Sequence, residues 1–223
     1  MTLLVGLTGG IGSGKTTVAE MFRARGAAIV DTDEISRALT GAGGEALPLI
    51  VREFGAEFMH EGALHRDRMR ERVFRDADAL ARLEAITHPL IRRDVEAAVA
   101  RVRGYALLVV PLLFEKMTYR TTVARTLAVD CPEALQLERV ARRSNLPRDA
   151  VAAIMRAQVP RRVRLQLADD VICNAAEPAA LAVQVDRLHV SYLEPPPGPP
   201  CGEKIVKTVA FGQNSPNPPL ELP

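Results

Sequence analysis

A glycine-rich segment between a short apolar run and a helix-type pattern constrains this chain more than any other feature. Residues 3–7 are typical of a buried strand, and residues 15–22 have the pattern of a helix start. Between them, the sequence GGIGSGKT at residues 9–16 has the spacing G-x-x-x-x-G-K-T of a P-loop. We therefore predict a strand–loop–helix unit that binds the phosphates of a nucleoside triphosphate.

Each part of this segment has a chemical role. The glycines let the backbone turn so that successive N–H groups point at phosphate oxygens, and the helix that follows adds its positive end. Lys15 is expected to reach the β- and γ-phosphates, and the Thr16 hydroxyl to bind Mg²⁺. The residues predicted to bind the nucleotide here are Gly9, Gly10, Ile11, Gly12, Ser13, Gly14, Lys15, Thr16 and Thr17. A dinucleotide-binding turn needs G-x-G-x-x-G, and read from Gly10 the last position is Lys15, so that alternative fails.

A second apolar run at residues 27–30 predicts a buried parallel strand that ends at Asp31, Thr32 and Asp33. Ligands of parallel sheets bind beyond the carboxyl ends of the strands, so we expect these aspartates beside the P-loop. Asp33 is the better candidate to take a proton from an acceptor hydroxyl. Its simpler role is to cap the helix that follows, which Asp31 fits less well, and the two roles of Asp33 are compatible.

Composition and charge restrict the kinds of partner that the chain is expected to bind. Of 223 residues, 48% are hydrophobic and 25% charged, as expected for one α/β domain that buries its own core. The net charge of +2 gives no reason to expect a nucleic acid or membrane partner, and nothing implies an obligate protein partner. The three cysteines fit no zinc spacing, and no leader or membrane span is recognisable, so we predict free thiols and a cytoplasmic protein.

The middle of the chain, about residues 40 to 103, has helical patterns. The arginine-rich run at residues 66–72 alternates in charge and predicts a solvent-exposed helix face. Thr87, His88 and Pro89 predict a new helix start, with His88 as a capping or packing residue. The strand predicted at residues 106–110 is followed by Pro111, where P-loop enzymes often have an aspartate for Mg²⁺, so the second metal contact is open.

Arginines are concentrated in two helical segments late in the chain. Arg139 and Arg143 share a face with Gln136 in the helix predicted at residues 133–143, and Arg142 lies close to that face. This pattern favours a lid that closes guanidinium groups over phosphates, and a solvent-exposed hairpin is the alternative. Proline dominates after residue 193, which predicts a disordered tail over residues 194–223, to which we assign no role.

Together these features predict a kinase that phosphorylates a small molecule. Switch GTPases and ATPase motors also have P-loops, but the chain lacks an N-K-x-D guanine-reading motif and is short for a motor. Lys15, the loop amides and Mg²⁺ would offset charge on the γ-phosphoryl group, while lid arginines exclude water. Two alternatives stay open: a kinase acting on a nucleoside monophosphate, and a non-catalytic regulator that binds nucleotide.

Several segments in a fixed order resemble the dephospho-coenzyme A kinases. They are GLTGGIGSGKTT at 6–17, Asp31-Thr32-Asp33 with Arg37, THPLI at 87–91, VPLLFE at 110–115, Gln136 with Arg139, Gln158, and ADDVI at 168–172 with Asn174. Many families share the P-loop, whereas the other segments in this order are far more specific. The resemblance covers residues 1–193, and Thr16, where the family commonly has serine, keeps the hydroxyl.

The resemblance implies that ATP, with Mg²⁺, phosphorylates the ribose 3′-hydroxyl of dephospho-CoA in the last step of coenzyme A synthesis. It implies an α/β P-loop NTPase fold of three layers, with a parallel central sheet, a helical substrate-binding insert and an arginine-rich helical lid. The expected core is 1–33, 104–135 and 167–193, the insert about 34–103 and the lid about 136–166. Asp33 becomes the expected catalytic base beside Lys15, and the lid arginines Arg139, Arg142 and Arg143 are expected at the nucleotide. Residues expected to contact dephospho-CoA are Asp33, Arg37, His88, Pro111, Leu112, Leu113 and Glu115.

Overall fold

The strands and helices follow one another much as the sequence predicts. The structure is a computed structural model that describes residues 2–144 and 147–194. Its strands are β1 (Leu3–Gly9), β2 (Ala28–Asp31), β3 (Met59–His60), β4 (Ala63–Leu64), β5 (Tyr105–Val109), β6 (Arg125–Asp130) and β7 (Asp170–Cys173). The α-helices are α1 (Lys15–Arg23), α2 (Thr32–Thr40), α3 (Leu47–Phe54), α4 (Arg66–Arg75), α5 (Ala77–Ala100), α6 (Glu133–Arg143), α7 (Arg148–Ala157), α8 (Arg161–Leu167) and α9 (Pro178–Leu193).

Five parallel strands form the central sheet in the order β2-β5-β1-β6-β7. β1 lies in the middle, with Leu7 paired to Val109 on one side and to Leu127 on the other. The three middle strands, β5, β1 and β6, are almost entirely buried because both faces of the sheet are covered by helices. Since all five strands run the same way, the segments that follow them meet at one edge of the sheet, where the site is built.

Two hydrophobic clusters fill the spaces above and below this sheet. On one face, Phe22 of α1 and Val185 and Tyr192 of α9 pack against β1 residues. On the other face, Val95 of α5 packs against Leu108 and its neighbours. This arrangement of helices, sheet and helices confirms the predicted three-layer α/β fold with a parallel central sheet.

The segment α2–α5 builds a small core of its own around Leu39, Ile50 and Met69. It also contains a β3–β4 hairpin that no sequence pattern predicts, because strands of two residues are too short to show alternation. The run at residues 66–72 lies in α4 and is mostly exposed, as expected.

The predicted helix start at Thr87–Pro89 is wrong. α5 runs without a break for 24 residues and contains Pro89, so His88 lies inside a helix and caps nothing. A proline inside a helix costs roughly 3 kcal/mol because it removes one hydrogen bond and crowds the preceding turn. Partial burial of Ile86, Leu90 and Ile91 against the cluster around Leu39, Ile50 and Met69 offsets that cost. The local signal was therefore overridden by packing.

Asp31, and not Asp33, caps the N-terminus of α2. The helix begins two residues earlier than predicted, at Thr32, so the capping position falls on Asp31. Asp31 Oδ1 accepts hydrogen bonds from the backbone N–H groups of Asp33, at 2.7 Å, and Glu34, at 3.2 Å. The carboxylate of Asp33 lies in the first turn of α2 and is not used as the helix cap.

The last helices form the remainder of the described chain. α6, α7 and α8 stand over the edge of the sheet that carries the P-loop, and α9 returns to pack beside α1. Within residues 2–144 and 147–194, no helix combines the length and apolarity that a bilayer span requires. The predicted proline-rich tail lies outside the described residues from residue 195 onward.

Close packing of β1 on the segment after β5 generates a stability prediction. A Cβ on Gly6 would lie 2.8 Å from Leu113 Cδ2 and 3.2 Å from Val123 Cγ1, and Leu113 is fully buried. We expect Gly6→Ala to destabilise the fold by about 1–3 kcal/mol through overpacking, and Leu113→Ala by about 2–5 kcal/mol through cavity formation.

The double variant provides the control for this prediction. The added methyl group of Gly6→Ala occupies space vacated by Leu113→Ala, so the two losses measured by urea unfolding should sum to more than the loss in the double variant. Simple additivity would show that the two residues do not share this packing.

Candidate active site

The backbone of the P-loop is fitted so closely that glycine is required at two positions. Gly12 and Gly14 have φ of 73° and 93°, in the left-handed region. A Cβ on Gly12 would lie 2.6 Å from the backbone oxygen of Gln136, and one on Gly14 would lie 2.1 Å from Asn174 Nδ2. Helix α6 and the residue after β7 therefore pack directly against the loop.

One buried amide binds the P-loop directly, and a second binds the segment between β6 and α6. Asn174 Nδ2 donates to the backbone oxygen of Ser13 at 2.7 Å, and Gln136 Nε2 donates to the backbone oxygen of Cys131 at 2.9 Å. Both side chains are almost fully buried. The hydrogen bond from Asn174 therefore fixes one carbonyl group of the loop.

Lys15 lies along the loop, where its Nζ donates to the backbone oxygen of Gly9 at 2.7 Å. Burial, together with the positive charge of Arg164, lowers the pKa of Lys15 from its ordinary value to about 8. The carboxylates of Asp33 and Glu115 act in the opposite direction. Lys15 is therefore a cation that lacks full compensation, which favours a bound anion.

Asp33 has a raised pKa and lies near Lys15 of the P-loop. Partial burial of its carboxyl group raises the pKa above the usual range of aspartate, and the nearby charge of Asp31 raises it further. Arg37 and Lys15 act against this shift, so both lie within electrostatic reach. A carboxylate with a raised pKa is a stronger base than an ordinary aspartate.

A cavity of about 200 Å³ opens beside Asp33. It is lined by α2, by α5 and by the segment after β5, and its walls include His88, Pro111, Leu112 and Tyr119. Four of the seven residues predicted to contact the acceptor, Asp33 and the first three of these, thus lie together. Lys116, Thr118 and Tyr119 are further lining residues that the sequence patterns did not single out.

The other three predicted acceptor residues are placed differently. Arg37 is exposed and does not line the cavity, but its positive charge acts to lower the pKa of Asp33. Leu113 is fully buried beneath β1 and belongs to the core. Glu115 Oε1 accepts a hydrogen bond from the backbone N–H of Val159 at 2.8 Å.

The lid arginines are not equivalent. Arg139 Nη1 is buried next to Gly14 and has no hydrogen-bond partner among the described residues. Arg143 lies near enough to lower the pKa of Lys15. Arg142 instead points to solvent and pairs with Glu138. The structure therefore brings Arg139 and Arg143 to the loop and leaves Arg142 outside.

Arg164 is the site residue that no sequence pattern separated from the other arginines of its run. It is only 6% exposed, and its Nη1 would lie 3.1 Å from a Cβ placed on Gly10. Burial lowers the pKa of its guanidinium group. A second cavity of about 320 Å³, lined by Gln136, Gln158 and Arg164 among others, opens beside it under the lid. Only the packing of Arg164 against Gly10 in the folded protein identifies it as a site residue.

Comparison with known proteins agrees with this geometry. Residues 3–179 match the family model described as dephospho-CoA kinase. The chain is 51% identical over 193 residues to the dephospho-CoA kinase of Dechloromonas aromatica, covering 86% of this chain and 93% of the relative. It is 52% identical over 193 residues to that of Nitrosospira multiformis, covering 86% and 96%. The chain belongs to the dephospho-CoA kinase family.

Solved structures show a similar fold. The crystal structure of TT1252 from Thermus thermophilus has a TM-score of 0.76 and 31% identity, covering 86% of this chain and 98% of that one. Dephospho-CoA kinase from Campylobacter jejuni has a TM-score of 0.63 and 24% identity, covering 86% and 97%, and shows the likeness of fold. The family resemblance predicted from the sequence is confirmed.

The charge of Asp31 generates a prediction about Asp33. Asparagine at position 31 keeps a side-chain oxygen for the helix cap but removes the charge that raises the pKa of Asp33. We expect Asp31→Asn to lower the pKa of Asp33, measured by NMR titration of its carboxyl carbon. An unchanged or higher pKa would show that Asp31 does not act on Asp33.

Proposed function

We propose that this member of the family transfers the γ-phosphoryl group of ATP to the ribose 3′-hydroxyl of dephospho-CoA and releases ADP and coenzyme A. The observation that carries the proposal is the position of Asp33. Its charge acts on Lys15 of the P-loop, and it also lines the 200 Å³ cavity with His88 and Pro111. One carboxylate thus faces both the phosphate donor and the hydroxyl acceptor.

On the donor side, the P-loop supplies charge and hydrogen bonds where the phosphates bind. The loop N–H groups and the positive end of α1 bind the phosphate oxygens, and Lys15 exchanges the carbonyl of Gly9 for the β- and γ-phosphates. Arg139, with its buried unpaired nitrogen, and Arg143 add guanidinium groups from the lid. These cations offset the charge that spreads over the transferred group.

On the acceptor side, Asp33 orients the 3′-hydroxyl and takes its proton as the oxygen attacks the γ-phosphorus. The bond from the γ-phosphorus to the bridging oxygen breaks, and ADP leaves with the electron pair. Because the pKa of Asp33 is raised, the carboxylate is a better proton acceptor than an ordinary aspartate. The apolar wall formed by Ile91, Pro111 and Leu112 helps to exclude water, which would otherwise compete as the acceptor.

Mg²⁺ fits this arrangement through the nucleotide. Among the described residues, no group of three or more histidine, cysteine, aspartate or glutamate side chains is placed to hold a metal ion. Mg²⁺ commonly uses only one or two protein oxygens together with phosphates and waters, and the exposed hydroxyl of Thr16 at the start of α1 provides one. When bound, the ion neutralises charge on the β- and γ-phosphates.

We place the reaction in the cytoplasm, where ATP is available and thiols are kept reduced. Among the described residues, Cys131 and Cys173 form no disulfide, in accord with that environment.

The first test measures ADP release from ATP and Mg²⁺ with dephospho-CoA, with AMP, or with no acceptor. We expect turnover to require dephospho-CoA and to yield coenzyme A, and Asp33→Asn to lower kcat by roughly 10²-fold or more through loss of the base. Asp31→Asn, which removes the neighbouring carboxylate and keeps the cap, is the matched control and should retain most activity. Preference for AMP would favour a nucleoside monophosphate kinase, and binding of ATP without turnover would favour a regulator.

The pKa of Lys15 sets the alkaline limit of activity. Its lowered pKa of about 8 means that the free enzyme loses this positive charge as the pH rises through that value. Because kcat/KM reports the free enzyme, we expect kcat/KM for ATP to fall above about pH 8. A profile that stays flat well above this pH would contradict the role of the charged Lys15.

A further inference from the structure

Three residues between α7 and α8 connect the lid to both halves of the site. We call Gln158, Val159 and Pro160 the lid strap. They lie between the last residue of α7 and the first residue of α8. Two of their polar groups are held by residues that are distant in the sequence.

The first attachment is to the P-loop. The backbone N–H of Ile11 donates to Gln158 Oε1 at 2.9 Å, across 147 residues of sequence. Ile11 lies in the middle of the loop whose N–H groups bind phosphate. The side chain of Gln158 therefore fixes the orientation of one peptide group in the donor subsite.

The second attachment holds the peptide groups on both sides of Val159. The N–H of Val159 donates to Glu115 Oε1 at 2.8 Å, and Arg164 Nη2 donates to the carbonyl oxygen of Val159 at 2.8 Å. The side chain of Val159 packs on the core cluster that contains Leu113 and Phe114. The strap is thus clamped by one carboxylate, one guanidinium group and one apolar contact.

Glu115 ends the segment whose Pro111 and Leu112 line the acceptor cavity. A single chain of contacts therefore runs from that segment through Glu115 to Val159, and from Gln158 to Ile11 in the P-loop. The charge of Glu115 also raises the pKa values of Lys15 and Arg164, so it balances two cations beside the loop.

We propose that Glu115 is a positioning residue that holds the lid strap, and through Gln158 the Ile11 amide, in register with the acceptor cavity. It acts through the strap and does not touch dephospho-CoA or the metal ion. This inference rests on the proposed function, because it assigns a role within the same site. Its essential interaction is the acceptance of one backbone hydrogen bond, which a neutral amide oxygen can also provide.

The decisive comparison is between Glu115→Gln and Glu115→Ala. Glutamine keeps an oxygen for the N–H of Val159 and loses the charge, whereas alanine loses both. We expect Glu115→Ala to lower kcat/KM for ATP and for dephospho-CoA by a similar factor of roughly 10 or more, because a part-buried N–H loses its partner. Glu115→Gln should stay within about threefold of the wild type, as expected when the hydrogen bond is kept. Glu71→Ala, on the exposed face of α4, is the control for general effects of removing a glutamate.

Three outcomes would overturn the proposal. If Glu115→Gln is as impaired as Glu115→Ala and requires more Mg²⁺, Glu115 acts through its charge on the metal ion. Loss confined to kcat/KM for dephospho-CoA would make it a substrate contact. Wild-type activity of Glu115→Ala would remove the strap from the account. If the wild type itself does not phosphorylate dephospho-CoA, the proposed function fails instead.

A measurement that needs no turnover separates positioning from misfolding. Amide hydrogen exchange at Val159 and Ile11, followed by NMR, should accelerate in Glu115→Ala and remain as in the wild type in Glu115→Gln, while amides of β1 and β6 stay protected in both. Protection of Val159 and Ile11 in the alanine variant would contradict the proposal. Gln158→Met combined with Glu115→Ala should be no worse than the more impaired single variant, because both act through one strap, and additive losses would contradict it.

Discussion

The structure depends on keeping the backbone of residues 9–14 in an unusual conformation while other elements press on it. β1 fixes one end of this loop in the middle of the sheet, and α1 fixes the other. Between them, Gly12 lies against the backbone of α6, and Gly14 lies against Asn174. No side chain fits in these places, so the loop cannot turn its N–H groups away from a phosphate without moving the lid helix and the end of β7 as well.

This constraint also explains the charges around the loop. Three different elements bring Lys15, Arg139 and Arg164 to the loop. Burial lowers the pKa values of Lys15 and Arg164. Asp33 and Glu115 compensate them only in part. Such an arrangement is unfavourable on its own and becomes favourable when a polyphosphate binds, which is how a binding site for ATP differs from a structural ion-pair network.

Much of the fold could be predicted because its signals are local. Apolar runs predicted three strands of the central sheet, β1, β2 and β5, and the glycine–lysine spacing placed the phosphate site between β1 and α1. Asp33 was also predictable, because a carboxylate at the end of a parallel strand has to lie at the ligand-binding edge. The helix boundaries failed where packing outweighed a local signal, as at Pro89, and where the cap moved from Asp33 to Asp31.

The remaining site residues could not be predicted from pattern because their partners are far away in the sequence. Arg164 looks like any other arginine of the lid until α8 is placed against Gly10. Glu115 and Leu113 stand two residues apart in a segment expected to contact the acceptor, yet one holds Val159 and the other fills the core under Gly6. The backbone path of residues 111–115 after β5 determines that Leu113 faces the core and that Glu115 faces Val159.

In the proposed reaction the donor phosphate and the acceptor hydroxyl meet directly across Asp33, so that the phosphoryl group moves in one step. The most direct test uses ATP made chiral at the γ-phosphorus with oxygen isotopes, and dephospho-CoA as the acceptor. A single in-line transfer predicts inversion of configuration at phosphorus in the product. Retention would require a second transfer through a covalent phosphoenzyme and would contradict the account.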